Sequence, residues 1–326
     1  MKTQKLFYLF CLFNILSACQ NSVDENESFI NYHAQIIRAE NSITQEKYTK
    51  ALNIYDKTIN EYDFIFLRDY KIASQLALYT DKKYKALNYI KKSIIGGWKL
   101  SELKKNKILI KYLDNSNWKN IENEYEYLHS QHLKRINTEI RDKVESMFNK
   151  DQEIAFKASQ IDDEIEQEKF IIDKFPYHSE KQIKNLIKIL DNNGYPGELL
   201  VGNNFWMSTI LSHHNSIAED YVRKDTLYNF IKPKLYKALT QGQISPYEFS
   251  MIEDWKKAIV SDSKEVSYGF INSPNESNLS EVNENRRKIG LRSVGLRNNL
   301  VDVELKTNMS FYLPDWIEGK IIIEKK

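Results

Sequence analysis

The chain is short of cysteine. Its only two, Cys11 and Cys19, lie near the amino terminus, so everything after them is without a thiol nucleophile, a disulfide or a cysteine-based zinc site. Charge of one sign is also missing. The chain carries 47 Lys and Arg against 45 Asp and Glu, a formal +2 to which Lys2 and Lys5 contribute. No basic field argues for nucleic acid. Gly-x-Ser-x-Gly elbows, phosphate loops and Gly-x-Gly-x-x-Gly turns are absent, which removes those hydrolase and nucleotide-binding signatures. Histidines are few: His33, His129, His132, His178, His213 and His214. His129 and His132 stand three apart on an expected helix with no third ligand in view, so they read as surface residues. Neither a metal nor another cofactor is expected.

What is present begins with an address. Lys2 and Lys5 precede an apolar stretch over residues 6–16, too short to span a bilayer comfortably, and then Leu16-Ser17-Ala18-Cys19. That run resembles the lipobox of bacterial lipoproteins. The resemblance implies a signal peptide over residues 1–18, removed before Cys19, which is then acylated and anchors the protein to the membrane of the cell envelope. By the same analogy Gln20 favours the outer membrane. Several acyl chains hold durably where one does not. Polar, acidic residues follow as a flexible tether over 19–28.

Two segments then repeat. "KALNIYDKTI" (50–59) and "KALNYIKKSI" (85–94) lie 35 residues apart, with Ala51, Leu52, Asn53, Lys57 and Ile59 recurring as Ala86, Leu87, Asn88, Lys92 and Ile94. Apolar positions at i, i+1, i+4 and i+8 share one helix face. With preceding helices near 30–42 and 68–79, the region 29–125 resembles tetratricopeptide-like helical repeats closed by an atypical unit over 105–125. The resemblance implies a concave surface for an envelope protein partner; an irregular helical bundle is the alternative. Residues 126–175 read as connecting helices. Leu133, Ile136, Ile140, Val144 and Met147 form an apolar stripe, and a break is expected between Lys150 and Asp151.

The remaining residues, 176–326, read as an α-helical C-terminal domain. One helix is expected from Ser179 as N-cap to Asn193, others over 204–213 and 226–240, and a fourth after Ser245. Ser245, Pro246 and Glu248 make a capping box. A loop covers 267–280, a short helix carries "EVNENRRKIGL", and "DVELK" and "GKIIIEKK" read as a small terminal β-hairpin. The expected fold is therefore mainly α: helical repeats joined by a long helix to a helical C-terminal domain.

From about Met147 to Leu296 the chain resembles an uncharacterised bacterial domain family often found behind such repeats. The landmarks are Asp151-Gln152, "NLIKILDNNGYPGELLVG", the His213 region, "KALTQGQISPYEFSMIEDW", Tyr268-Gly269 and "VNENRRKIGL". The family brings no activity to carry over. This chain departs from it at Ala155 and Trp255, where members carry Arg, and at Phe270-Ile271, where they carry Thr-Gln. An anionic ligand held by those groups in relatives would meet a less charged pocket here.

His213 falls seven residues after Trp206, on the same helical face, whereas His214 should turn outward. Asp254, Tyr268 and Asp151 come from other landmarks and could converge with His213. A carboxylate-oriented imidazole beside a Tyr hydroxyl can move a proton or grip a polar ligand. The expected function is a binding protein, with Asp151, Arg286 and Trp206 as ligand contacts. The alternative is an envelope hydrolase or transferase working through His213, Asp254 and Tyr268. Arg286 and Arg287 could bind an anion or pair with Glu281 and Glu284. Metabolic labelling with a palmitate analogue should tag the wild-type chain and leave Cys19→Ser unlabelled; label retained by the variant would contradict the lipid anchor.

Overall fold

A computed structural model describes residues 28–202, 204–313 and 317–325; the signal, Cys19 and the tether up to residue 27 lie outside them, and Ser28 begins the first helix. The described residues form sixteen helices and no sheet. None of these helices is long and apolar enough to cross a membrane.

The first four helices are α1 (Ser28–Thr44), α2 (Tyr48–Glu61), α3 (Leu67–Tyr79) and α4 (Lys83–Ile95), each packed against the next. Ala51 and Ala86, both fully buried, have no side chain beyond Cβ, so the helices can approach closely where they pack. The backbone repeats along with the sequence. Glu46 and Asp81 both adopt left-handed φ, at 57° and 56°, and Lys47 and Lys82 donate their amides to the carbonyls of Ser42 and Ala77. Two turns of one geometry thus recur at the 35-residue step of the sequence.

Short helices α5 (Leu100–Leu103) and α6 (Lys107–Tyr112) lead to α7 (Asn115–Arg135), which packs on α4. The chain breaks at Ile136 and Asn137 instead of at Lys150. Asn137 accepts the Ile140 amide at 3.0 Å as N-cap of α8 (Thr138–Ser159), which carries Asp151 in its interior. His132 is buried, contrary to expectation. It is wedged between Gly97 (φ +108°) and Gly202 (φ +90°), where an added Cβ would lie 2.8 Å and 3.4 Å from its ring. Burial first, and then the Arg135 charge, lower its pKa to about 4.

The next helix, α9 (Glu164–Asn193), starts well before Ser179 and runs through Pro176. Asp163 caps it by accepting the Glu166 amide, and acidic residues fill its first turn, so the stronger start signal lies upstream. Then come α10 (Glu198–Val201), α11 (Trp206–His214), α12 (Glu219–Lys224), α13 (Leu227–Thr240), α14 (Pro246–Val260), α15 (Leu279–Lys288) and α16 (Val294–Thr307). The Ser245 and Glu248 capping box opens α14 as its sequence requires.

The terminal hairpin does not form. "DVELK" lies inside α16, where Val303 is buried and Leu305 is 80% exposed, so its alternation marks no sheet face. The last residues make one isolated parallel bridge, between Asn275 and Glu324. Asn298 supplies the missing strand partner, accepting the Ile321 amide at 2.8 Å and donating to its carbonyl at 2.9 Å.

The boundary at 176 is likewise not a seam in packing. Leu300, Val303, Met309 and Phe311 join the core built by the N-terminal helices, and α16 packs on α1. Gln75 of α3 brackets Ser310, donating to its carbonyl and accepting its amide, both at 2.8 Å. The side of α1 and α3 that α16 and residues 309–311 contact is thus covered by the chain's own C-terminal residues.

Candidate functional site

The six candidate residues fall into three places. His213, on α11, puts Nδ1 2.6 Å from Asp151 Oδ2, and His178 of α9 brings Nε2 to 3.5 Å from the other oxygen. One carboxylate therefore sits between two imidazoles from different helices. Burial alone would raise the Asp151 pKa, but the hydrogen bonds and charges of His178 and His213 hold it below the usual carboxylate value. His213 borders a hollow of about 520 Å³ with Phe205, Tyr247 and Trp255 around it. Among the described residues no group of three His, Cys, Asp or Glu is arranged to hold a metal ion.

Asp254 and Arg286 do different work. Asp254 accepts the Tyr268 amide at 2.7 Å and the Phe270 amide at 2.8 Å, one on each oxygen. Arg286, fully buried, donates to the carbonyls of Tyr268 and Arg292 at 2.7 and 3.1 Å, with its guanidinium 4.5 Å from the Phe270 ring centre. Asp254, Tyr268 and Arg286 are thus brought together as the knot that shapes the 268–270 loop. Burial pushes the Asp254 carboxyl up to about 6 against the pull of those amides. Phe270 is the ring on which Arg286 rests. Arg287 pairs with Glu284 at 2.7 Å.

His214 is not solvent-facing. It is 2% exposed and bonds Asp225 at 3.0 Å, while Asp225 accepts the amides of Leu227 and Tyr228. The two adjacent histidines of α11 thus each meet a different carboxylate, His213 that of Asp151 on α8 and His214 that of Asp225 between α12 and α13.

Trp206 belongs to the third place, a cleft of about 440 Å³ between the two halves of the chain. It stacks near Phe148, with the Arg141 guanidinium 4.8 Å from its ring. Phe205, just before it, holds a left-handed φ of 55° at the cleft mouth, a conformation few non-glycine residues adopt. Phe66, Tyr247, Leu291 and Tyr312 supply further apolar wall, and His33, Arg68, Asp69, Glu198, Asn204, Glu248 and Arg292 the polar groups.

Beneath this wall Glu40, 0% exposed, receives Arg68 Nη2 at 2.5 Å and Arg292 Nε at 2.8 Å. Burial would raise the Glu40 carboxyl, and the two guanidinium groups outweigh it and lower it. Arg68 also bonds Asp69 at 3.0 Å and the Phe311 carbonyl at 3.0 Å, and Asp69 accepts the Tyr32 hydroxyl at 2.5 Å. His33 is pushed down to about 3, first by burial and then by the Arg292 and Arg68 charges. Glu198 accepts the Leu67 amide at 2.5 Å, and burial pushes it up to about 8.

Most of these cleft residues carry no motif. One signal was readable: Glu40 falls four residues after Ile36 and three before Ile43, on the buried stripe of α1 where a hydrophobe belongs.

No family model matches the chain, and no curated protein or solved structure is detectably similar to it.

The raised Glu198 carboxyl has a consequence for stability. Between its ordinary value of 4.5 and about 8 the folded protein keeps a proton that the unfolded chain has released, so Glu198 destabilises increasingly as pH rises through that window. Glu198→Gln should flatten this slope and gain at least about 1 kcal/mol at pH 8 in urea unfolding. Parallel pH profiles for variant and wild type would contradict the assignment.

Proposed function

We propose that this is a lipid-anchored cell-envelope binding protein. Its tetratricopeptide-like repeats and C-terminal helices together hold a small ligand in the cleft between them. The observation that carries this reading is the composition of that cleft. Aromatic walls and ionic groups from α1, α3, α11, α14 and the segment after α15 face one space of about 440 Å³. That size and mix of apolar wall with a few polar groups suit a small organic molecule. The anchor at Cys19 places the site in the envelope, on the outer membrane by lipoprotein analogy.

A protein partner fits the uncovered faces of the repeats better than the side of α1 and α3 that α16 and residues 309–311 already cover. Tyr84 stands exposed there, in keeping with an interface.

A second reading has one observation in its favour. An imidazole whose Nδ1 is held by a buried carboxylate, as in His213 and Asp151, is the usual form of a general base. This would make the hollow beside His213 the seat of a hydrolase or transferase. Asp254, with both oxygens on backbone amides, supports that chemistry less well than Asp151 does.

A thermal-shift screen of envelope-derived small molecules separates the two. Hits on the wild type should disappear in Trp206→Ala and persist in His213→Ala. Hits lost only in His213→Ala, or turnover of an ester or amide abolished by that variant, would overturn the binding reading.

A further inference from the structure

The polar groups of the cleft are unevenly satisfied. Arg68 is fully engaged by Glu40, Asp69 and the Phe311 carbonyl, and Lys71 is paired with Glu102 at 3.2 Å. Arg292 differs: it gives Nε to Glu40, and among the described residues its two terminal amino groups have no hydrogen-bond partner. Asn204 Nδ2 and His33 Nε2 are also buried at the cleft with no partner among the described residues, and His33 is 8% exposed. On the acidic side the groups are better matched. Glu198 accepts the Leu67 amide, and Glu248 accepts the amide and hydroxyl of Ser245. Burial raises both carboxyls, and Glu198 at about 8 is protonated at neutral pH and becomes one more donor. The groups left without a partner at this cleft, the Arg292 terminal amino groups and Asn204 Nδ2, are donors that call for an acceptor.

Resting on the cleft being the ligand site, we propose that it receives a single carboxylate carried on a flat apolar body. The carboxylate is taken by Arg292 and Asn204, and the body lies against Trp206, Tyr247 and Phe66. A guanidinium with both terminal amino groups available matches the planar, two-oxygen face of a carboxylate. A dianion such as a phosphate fits less well, because Arg68 and Lys71 are already engaged by Glu40, Asp69 and Glu102 and bring no free charge to a second negative group. The aromatic walls call for a body that can stack. A free aromatic acid and the C-terminus of a short peptide share this chemistry.

Isothermal titration of the full mature chain would use N-acetylphenylalanine and a tetrapeptide ending in phenylalanine, each as the free acid and as its C-terminal amide. At least one acid should bind about tenfold or more tightly than its amide, the worth of one charge-assisted contact. Which acid binds better separates a small acid from a peptide end. Arg292→Gln should erase the preference. Asn204→Leu, which leaves the Glu40 bridge intact, should weaken the acid more than the amide even if the first variant folds poorly.

Acid binding by the wild type should also decline above about pH 8 as Glu198 ionises, and persist in Glu198→Gln. Glu198 is faced by the Leu67 amide and by Arg135, Lys71, Asp69 and Glu248, and only its own titration is removed in that variant. Amides that bind as well as acids, with both lost in Trp206→Ala, would overturn the carboxylate and leave the cleft reading standing. Acid binding untouched by Trp206→Ala would overturn both.

Discussion

The structure turns on one buried carboxylate. Glu40 lies in the C-terminal half of α1 with no exposed surface, between a guanidinium from α3 and another from the segment after α15. Moving three charges out of water is costly, and the arrangement holds only because each partner has further bonds: Arg68 to Asp69 and Phe311, Asp69 to Tyr32. Residues more than two hundred positions apart are thereby fixed to each other. The repeated helix pairs and the C-terminal helices become walls of one cleft, and α16 with residues 309–311 covers one side of α1 and α3.

That bridge also sets the chemistry above it. Burial, reinforced by the two guanidinium groups beside it, keeps the His33 ring neutral far below its usual pKa. Burial keeps Glu198 and Glu248 protonated to higher pH than a free carboxylate. The net effect is a cavity rich in donors although acidic residues outnumber basic ones along its wall. Phe205, in its left-handed conformation, carries the chain from α10 into Trp206 at the cleft mouth. Backbone strain of that kind is retained where the surroundings over-determine a residue.

How much of this was legible in the sequence follows from the range of the interactions. The 35-residue repeat, the Ser245 and Glu248 capping box and the short helix over "EVNENRRK" are local, and each lies where its residues imply. The break at Asn137 and the start at Asp163 were signalled by capping residues that an apolar stripe obscured. The "DVELK" alternation suits a strand or a helix, and packing on α1 decides for the helix. Of the site residues, Asp151 and His213 meet, and His178 joins them without any motif to announce it. Asp254, Tyr268 and Arg286 also meet, around backbone amides and carbonyls that sequence patterns do not show. The cleft was hidden because its walls come from segments scattered from α1 to residues 312–313. Only Glu40, a charge on an apolar stripe, pointed to it.

Segment-resolved hydrogen exchange on Glu40→Ala tests the central claim, that one bridge joins both halves into a single folded unit. Loss of the carboxylate leaves Arg292 without its ion-pair partner and Arg68 with Asp69 alone, a change of about 3–5 kcal/mol. The opening free energies of α3 and of α16 should fall together by that order. Weakening confined to α1 and α2, with α16 as protected as in the wild type, would contradict it.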